Sequence, residues 1–185
     1  MNKLNFDITD EIKEALLNKK PIVALESTLI SHGLPYPKNL EVAKASIEAV
    51  KSSGSIPATI AIIEGKIKLG LNEEELNILS KKKNIEKASV HNLPIFVKNK
   101  NNAATTVASS IYIAALVGIK FFATGGIGGV HLESEKTFDI SSDLIQLSKT
   151  KINIVSSGPK SILDINKTFE MLETFGVPKD WSLIL

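Results

Sequence analysis

The chain has no cysteine among its 185 residues, which excludes disulfides, thiolate metal sites and thiol nucleophiles. It has no apolar run long enough to span a bilayer. Its N-terminal stretch, MNKLNFDITDEIKEALLNKK, holds no apolar signal core. It also lacks an excess charge of one sign. The net charge is +2, with acids and bases spread along the chain, so there is no electrostatic case for nucleic acid or an anionic membrane. The run Lys81, Lys82, Lys83 reads as solvated helix-end charge. Internal repeats, low-complexity tracts and an interdomain linker are all missing. The expectation is one domain over residues 1–185, in a soluble cytoplasmic protein.

The chain does have enough apolar residues, 43%, for one core of ordinary size. Helical spacing over residues 8–19 puts Ile12, Ala15 and Leu16 on one face, with Thr9 as a cap. Residues 21–25 are a short apolar run and read as a strand; 27–37 read as a loop. Residues 38–53 read as an amphipathic helix with Leu40, Ala43, Ile47 and Val50 inward and Gly54 beyond its end. Runs at 59–63 and 66–69 flank Glu64-Gly65, a two-residue hairpin signal. A short helix is expected over 72–80, a strand over 93–97, a buried helix over 105–116, buried strands over 117–123 and 152–155, and a helix over 160–175. Apolar strands alternating with helices predict an α/β fold: three layers, α/β/α, around a largely parallel sheet. Ligands in such folds sit beyond the carboxyl ends of strands, where Glu26, the glycine-rich stretch and residues 156–160 all fall.

The stretch TGGIGGVHLESEKTFDISSD (124–143) carries the most chemistry. Gly125, Gly126, Gly128 and Gly129 let a backbone approach a ligand and turn its N–H groups inward. The spacing is not GxGxxG, so a dinucleotide is not expected. If residues 139–143 form one helical turn, Asp139 and Asp143 face the same way and suit a hard divalent ion such as Mn²⁺ or Mg²⁺. The competing reading makes one of them, or Ser141 or Ser142, a helix cap. His131 is open between a phosphate contact and a polar loop residue. His32 stands as support for the same pocket, and His91 as exposed. Thr105, Thr106 and Val107 at a helix start offer groups to an anion or simply a cap. Glu26, directly after a strand, is a candidate general acid or base, or a carboxylate that accepts loop N–H groups. Lys160, read at a helix start, is a candidate amine nucleophile or an exposed lysine.

Taken together, ALESTLISHGLPYP (24–37), IPATIAIIEGKIKLGL (56–71), ATTVASSIYIAALVGIKFFATGGIGGVH (104–131), TFDISSDL (137–144) and GPKSILDINKTFEMLETFGVP (158–178) resemble the pseudouridine-5′-phosphate glycosidase family. The resemblance runs from about Pro21 to Pro178. It implies reversible cleavage of the carbon–carbon glycosidic bond of pseudouridine 5′-phosphate to uracil and ribose 5-phosphate. It further implies Lys160 as the amine that forms an imine with the opened sugar, Glu26 as proton donor and one Mn²⁺ held through Asp139. Substrate contacts would come from Lys87, Val107, Ser141, Ser142 and Asp143, with His131 at the phosphate. A homotrimer is also implied.

Three departures from the family pattern stand out. After Pro178 the chain reads KDWSLIL (179–185), unlike the family continuation, so a truncated frame, an incomplete sheet and uncovered apolar faces are expected. Val90, His91 and Asn92 stand where the family usually has two arginines and an acid. Asn102-Ala103-Ala104 replaces a usual glycine. The alternative to an active enzyme is an inactive remnant, or one half of a split enzyme, that binds sugar phosphate at most.

Overall fold

Strand β3 (Ile56–Ile63) sorts its side chains between two cores. Successive residues of a strand point to opposite faces of its sheet. Ala58, Ile60 and Ile62 enter one apolar cluster, whereas Ala61 and Ile63 enter another. The computed structural model describes residues 6–81 and 84–180. Lys82, Lys83 and the tail from Trp181 onward lie outside the described residues.

The elements run β1 (Phe6–Ile8), α1 (Asp10–Leu17), β2 (Ile22–Leu25), α2 (Thr28–His32), α3 (Lys38–Ser52), β3, β4 (Lys66–Leu69), α4 (Glu73–Lys81) and β5 (Glu86–Ala88). They continue α5 (Leu93–Lys98), β6 (Ala103–Thr105), α6 (Val107–Leu116), β7 (Phe121–Thr124), α7 (Ser134–Thr137), α8 (Ser142–Lys149), β8 (Asn153–Ser156) and α9 (Ile165–Thr174). The strands form one sheet in the order β1-β4-β3-β2-β7-β8, with β6 also on β3 and β5 on β6. Five of its seven pairings are parallel and two, β3–β4 and β3–β6, are antiparallel. Long β3 makes both arrangements possible. Its first half pairs with β2, and its second half lies between β4 and β6.

Helices cover both faces, as the α/β reading predicts. The first cluster gathers Ile12 and Ala15 of α1, Ile111 and Ala114 of α6, Leu144 of α8 and Leu172 of α9. The second gathers Ile30, Ala43, Leu76 and Leu79 of α2, α3 and α4. This second layer stops short of β7 and β8. Phe121 is 48% exposed there and Val155 66%. Ile152–Val155, read as a buried strand, is thus half-open.

The hairpin stands as read. Residues 60–63 pair with 69–66, and Glu64 and Gly65 both take positive φ (50° and 75°), as a primed two-residue turn requires. Asn72 opens α4 with a reciprocal cap: its Oδ1 accepts the Glu75 N–H at 2.9 Å, and Glu75 accepts the Asn72 N–H at 2.9 Å.

Several expectations are overturned. Residues 93–97, read as a strand, form helix α5: Pro94 sits at its start, where the missing N–H is harmless, and Leu93 and Phe96 turn inward at helical spacing. The run 117–123 does not extend as one strand. Gly118 takes φ 89° after α6, and β7 begins at Phe121. The loop 27–37 contains the short helix α2. The helix expected from Lys160 begins instead at Ile165, capped by Asp164 through the Lys167 N–H at 3.0 Å.

Candidate functional site

Glu26 is the first residue past β2, and only 8% of it is exposed. Its carboxylate accepts the hydroxyl hydrogens of Thr28 and of Thr124, the last residue of β7. A nearly buried carboxylate needs such donors. Both come from side chains, not from loop N–H groups. Thr124 in turn accepts the Gly126 N–H at 3.3 Å, so the carboxylate is tied to the glycine-rich loop.

Lys160 packs against the other side of that loop. Its backbone N–H donates to Ile127 at 3.0 Å, and Ile127 donates to Gly158 at 3.0 Å. A Cβ built on Gly126 would lie 3.2 Å from Lys160 Cγ. The exposed Lys160 side chain therefore runs over Gly126. Glu26 and Lys160, distant in sequence, meet the same loop at the carboxyl ends of β2, β7 and β8. The helix-end argument for Lys160 does not hold, since α9 starts only at Ile165. A cavity of about 620 Å³ opens here, lined by Glu26, Leu29, Val50, Thr124, Val155 and Ser157 among others.

Gly128 and Gly129 serve packing. A Cβ on Gly128 would collide with Ser141 Oγ and lie 2.7 Å from Asp143 Oδ2. One on Gly129 would collide with Thr168 Oγ1. Two N–H groups of the stretch also turn into the fold. Gly128 donates to Asp143 Oδ2 at 2.8 Å, and Val130 donates to Thr168 Oγ1 at 2.9 Å.

Asp143, 5% exposed, has both carboxylate oxygens occupied by backbone, the second by the Ala108 N–H at 2.8 Å. It joins the start of α6 to the glycine loop. Asp139 and Asp143 do not share a helical turn. Ser141 caps α8 by accepting the Asp143 N–H at 3.2 Å, and Asp139 lies outside that helix. Asp139 Oδ2 instead stands 3.8 Å from His131 Nδ1, with its side chain 64% exposed and that of His131 37% exposed. Among the described residues no group of three or more His, Asp or Glu converges on a point. This donor set suits only a hard divalent ion held by one carboxylate and completed by water.

Ser142, exposed at the start of α8, lies 2.9 Å from the hydroxyl of buried Ser89. Ser89 follows β5, which carries Lys87. Val107 opens α6 with a buried side chain, so only its backbone is available to a ligand. Thr106 caps α6 by accepting the Ser109 N–H at 3.4 Å. His32 pairs with Ser31 Oγ at 2.6 Å. Burial, and then the charge of Lys87, hold the His32 imidazole below its ordinary value. Thr28, Thr124 and Ser89 are polar contributors that the sequence does not single out. Thr28, two residues after Glu26, had the one local signal.

Residues 11–179 match the family described as Indigoidine synthase A like protein. The chain is 56% identical over 172 residues to the pseudouridine-5′-phosphate glycosidase of Petrotoga mobilis, covering 93% of this chain and 56% of that protein. It is 55% identical over 172 residues to the pseudouridine-5′-phosphate glycosidase of Escherichia coli, covering 92% and 55%. The chain thus spans a little over half the length of these relatives. Among solved structures it superposes on the prealnumycin C-glycosynthase AlnA in complex with ribulose 5-phosphate, with TM-score 0.87, 43% identity, and coverage of 96% of this chain and 57% of that one. An indigoidine synthase A-like protein of Thermotoga maritima superposes with TM-score 0.85, 38% identity, and coverage of 96% and 58%. On this match the chain belongs to the Indigoidine synthase A like protein family, in agreement with its resemblance to the pseudouridine-5′-phosphate glycosidases.

Proposed function

We propose that the chain carries the reactive half-site for reversible cleavage of pseudouridine 5′-phosphate to uracil and ribose 5-phosphate. The observation that carries this reading is the shared loop. Glu26, fixed by Thr28 and Thr124, and Lys160, lying over Gly126, border it from two sides. The names of the relatives and the sugar phosphate in the AlnA complex support the substrate class.

The residue types suit the chemistry. A carbon–carbon glycoside has no leaving oxygen or nitrogen to protonate. In this reading the Lys160 amine bonds to C1′ as the C1′–O4′ bond opens, and the proton shed by the nitrogen passes to O4′, which becomes a hydroxyl while the nitrogen regains its lone pair. Glu26 delivers a proton to the uracil carbon, and the C1′–C bond breaks as the nitrogen lone pair forms the imine. Water then hydrolyses the imine, releasing ribose 5-phosphate and restoring the amine. Lys87, His131, Ser141, Ser142 and the Val107 backbone would bind the sugar phosphate and base. Asp143, whose oxygens are taken by backbone, would act by holding that surface in place. A Mn²⁺ would be held through Asp139 and, when bound, would supply a Lewis acid that orders water and the substrate edge. A cytoplasmic homotrimer belongs to the same reading, with light scattering as its check.

Uracil release from pseudouridine 5′-phosphate by the purified chain, compared with Glu26→Gln and Lys160→Ala, tests the reading. Release that depends on both residues supports it. Release indifferent to either one removes that residue from its role. A second reading, binding of sugar phosphate without turnover, draws on the openness of the groove, where Val155 is 66% exposed.

A further inference from the structure

The strand registers set a row of polar residues along the carboxyl edge of the sheet. Leu25 pairs with Ala123 across β2 and β7, and Thr124 pairs with Ser156 across β7 and β8. Glu26 and Thr124, each one step past the first pair, therefore stand side by side and are bonded. Ser156 stands on the other side of Thr124, and its hydroxyl accepts the Gly158 N–H at 2.8 Å on the way to Lys160. A single threonine thus separates the carboxylate from the strand that leads to the amine.

The neighbours of Thr124 fix the direction of its hydroxyl. The Gly126 N–H can only donate, so Thr124 Oγ1 accepts there, at 3.3 Å. Two acceptors remain for the Thr124 hydrogen. The Gly126 carbonyl lies at 3.3 Å, beyond the ordinary reach of an O–H···O bond, whereas the Glu26 carboxylate is in contact and is the stronger acceptor. Thr28 donates to the second carboxylate oxygen. With one hydroxyl on each oxygen, the carboxylate plane cannot turn without breaking a bond.

The consequence falls on proton transfer. As Glu26 gives its proton to the uracil carbon, negative charge develops on its carboxylate, and two hydroxyl hydrogens are already aimed at it. Donors held in place for a developing charge need no rearrangement during the step. Thr28 is local to Glu26, two residues along the same segment. Thr124 belongs to another strand and to the loop beneath the Lys160 stem, where a Cβ on Gly126 would lie 3.2 Å from Lys160 Cγ. Of the two threonines, Thr124 is the one that ties the acid to the frame that holds the amine.

We propose that Thr124 is a positioning residue for the proton-transfer step: its hydroxyl aims the Glu26 carboxyl and holds it against the Lys160 loop. This rests on the reading of Glu26 as proton donor and Lys160 as amine. The hydroxyl does this and the methyl does not, so serine can stand in for threonine, whereas valine, of the same shape, cannot.

The experiment measures uracil release from pseudouridine 5′-phosphate by the purified chain, as kcat and KM, beside the borohydride-trapped adduct of ribose 5-phosphate on Lys160. Each variant is assayed below its unfolding midpoint. Thr124→Val is expected to lower kcat about 10- to 100-fold, the loss of one hydrogen bond to a charged group, with KM and adduct yield unchanged. Thr124→Ala, which removes the hydroxyl without setting a second methyl against the carboxylate, is expected to do the same. Thr124→Ser is expected to recover most of the loss. Thr124→Val made in Glu26→Gln is expected to cost little further, because a residue that acts through Glu26 then has no proton transfer to assist. An undiminished kcat in Thr124→Val and Thr124→Ala overturns the inference. Equal losses in Thr124→Val and Thr124→Ser overturn it in favour of packing, and so does a loss that multiplies in full with that of Glu26→Gln. A raised KM at unchanged kcat overturns it by making Thr124 a substrate contact. A parent chain that forms the adduct without releasing uracil, or does neither, removes the reading beneath the inference and the inference with it.

Discussion

The Asp143 carboxylate accepts the Gly128 N–H at 2.8 Å through Oδ2 and the Ala108 N–H at 2.8 Å through Oδ1. One buried side chain therefore bonds the glycine loop to the first turn of α6. Removing it strands two N–H groups, each worth about 1–3 kcal/mol when left unpaired in the interior. Asp143→Ala is expected to lower the free energy of unfolding by about 2–6 kcal/mol, read from urea denaturation. A loss below about 0.5 kcal/mol, the range of ordinary surface changes, would contradict the brace.

Gly128 faces the same residue. A methyl there meets Ser141 Oγ and Asp143 Oδ2. Gly128→Ala is expected to destabilise by about 1–3 kcal/mol through overpacking. Gly125, whose Cβ would meet nothing within 4 Å, is the matched control, expected to lose far less on the same change. Equal losses at both positions would sink the packing account of the glycine stretch.

The open sheet face makes a contrast within two strands. Val155 is 66% exposed and Phe122 is fully buried. Val155→Thr is expected to shift stability by no more than about 0.5 kcal/mol. Phe122→Ala should cost about 3–5 kcal/mol. A large loss at Val155, in thermal or urea unfolding, would mean that this face is covered in solution.

Lys68 ties β1 to α4 through Asp7 at 2.9 Å and Glu75 at 2.8 Å. The hydrogen bond from Lys68 holds the Asp7 carboxyl below its ordinary 3.8. Burial pulls the Lys68 ammonium down, but its bonds to Glu75 and Asp7 outweigh this and hold it above 10.5. The Asp7 contribution is thus present above pH 3.8 and is lost as pH falls through the lower folded value. The Lys68 contribution is present below pH 10.5 and is lost as pH rises through the higher folded value. The stability difference between the parent chain and Asp7→Asn is expected to shrink below pH 3.8. A difference that persists at pH 2 would contradict the pairing.

The alternation of strand and helix, the hairpin at Glu64-Gly65, and the convergence of Glu26, the glycine loop and the segment before Lys160 are legible in the sequence. Short apolar runs at Pro21, Thr59 and Phe121 carry them. What was misread turns on context that no local run contains. Residues 93–97 look extended because Ile95 and Val97 are β-branched, yet Leu93 and Phe96 are the pair that finds the core. Gly128 and Gly129 look like part of a ligand cradle until Ser141, Asp143 and Thr168, which fill the space above them, come into view. Asp139 and Asp143 look like partners by spacing, but Ser141 in extended backbone (φ −64°, ψ 135°) breaks the turn between them.

Glu26→Gln keeps the shape of the side chain and removes its transferable proton. Uracil release is expected to fall by about 10²–10⁴-fold, while imine formation with ribose 5-phosphate on Lys160 persists. A steady-state assay for uracil, beside the trapped adduct, reads the two separately. Loss of both together would make Glu26 a residue for sugar binding instead of proton transfer.

The most direct measurement is the borohydride trap itself. The purified chain is incubated with ribose 5-phosphate and Mn²⁺, reduced, and weighed by intact mass spectrometry, with Lys160→Ala in parallel. The account predicts a sugar-phosphate adduct that maps to Lys160 and is absent from the variant. A folded chain that gives no adduct, or gives it equally in Lys160→Ala, contradicts the central claim that Lys160 and Glu26 form a reactive pair on one loop.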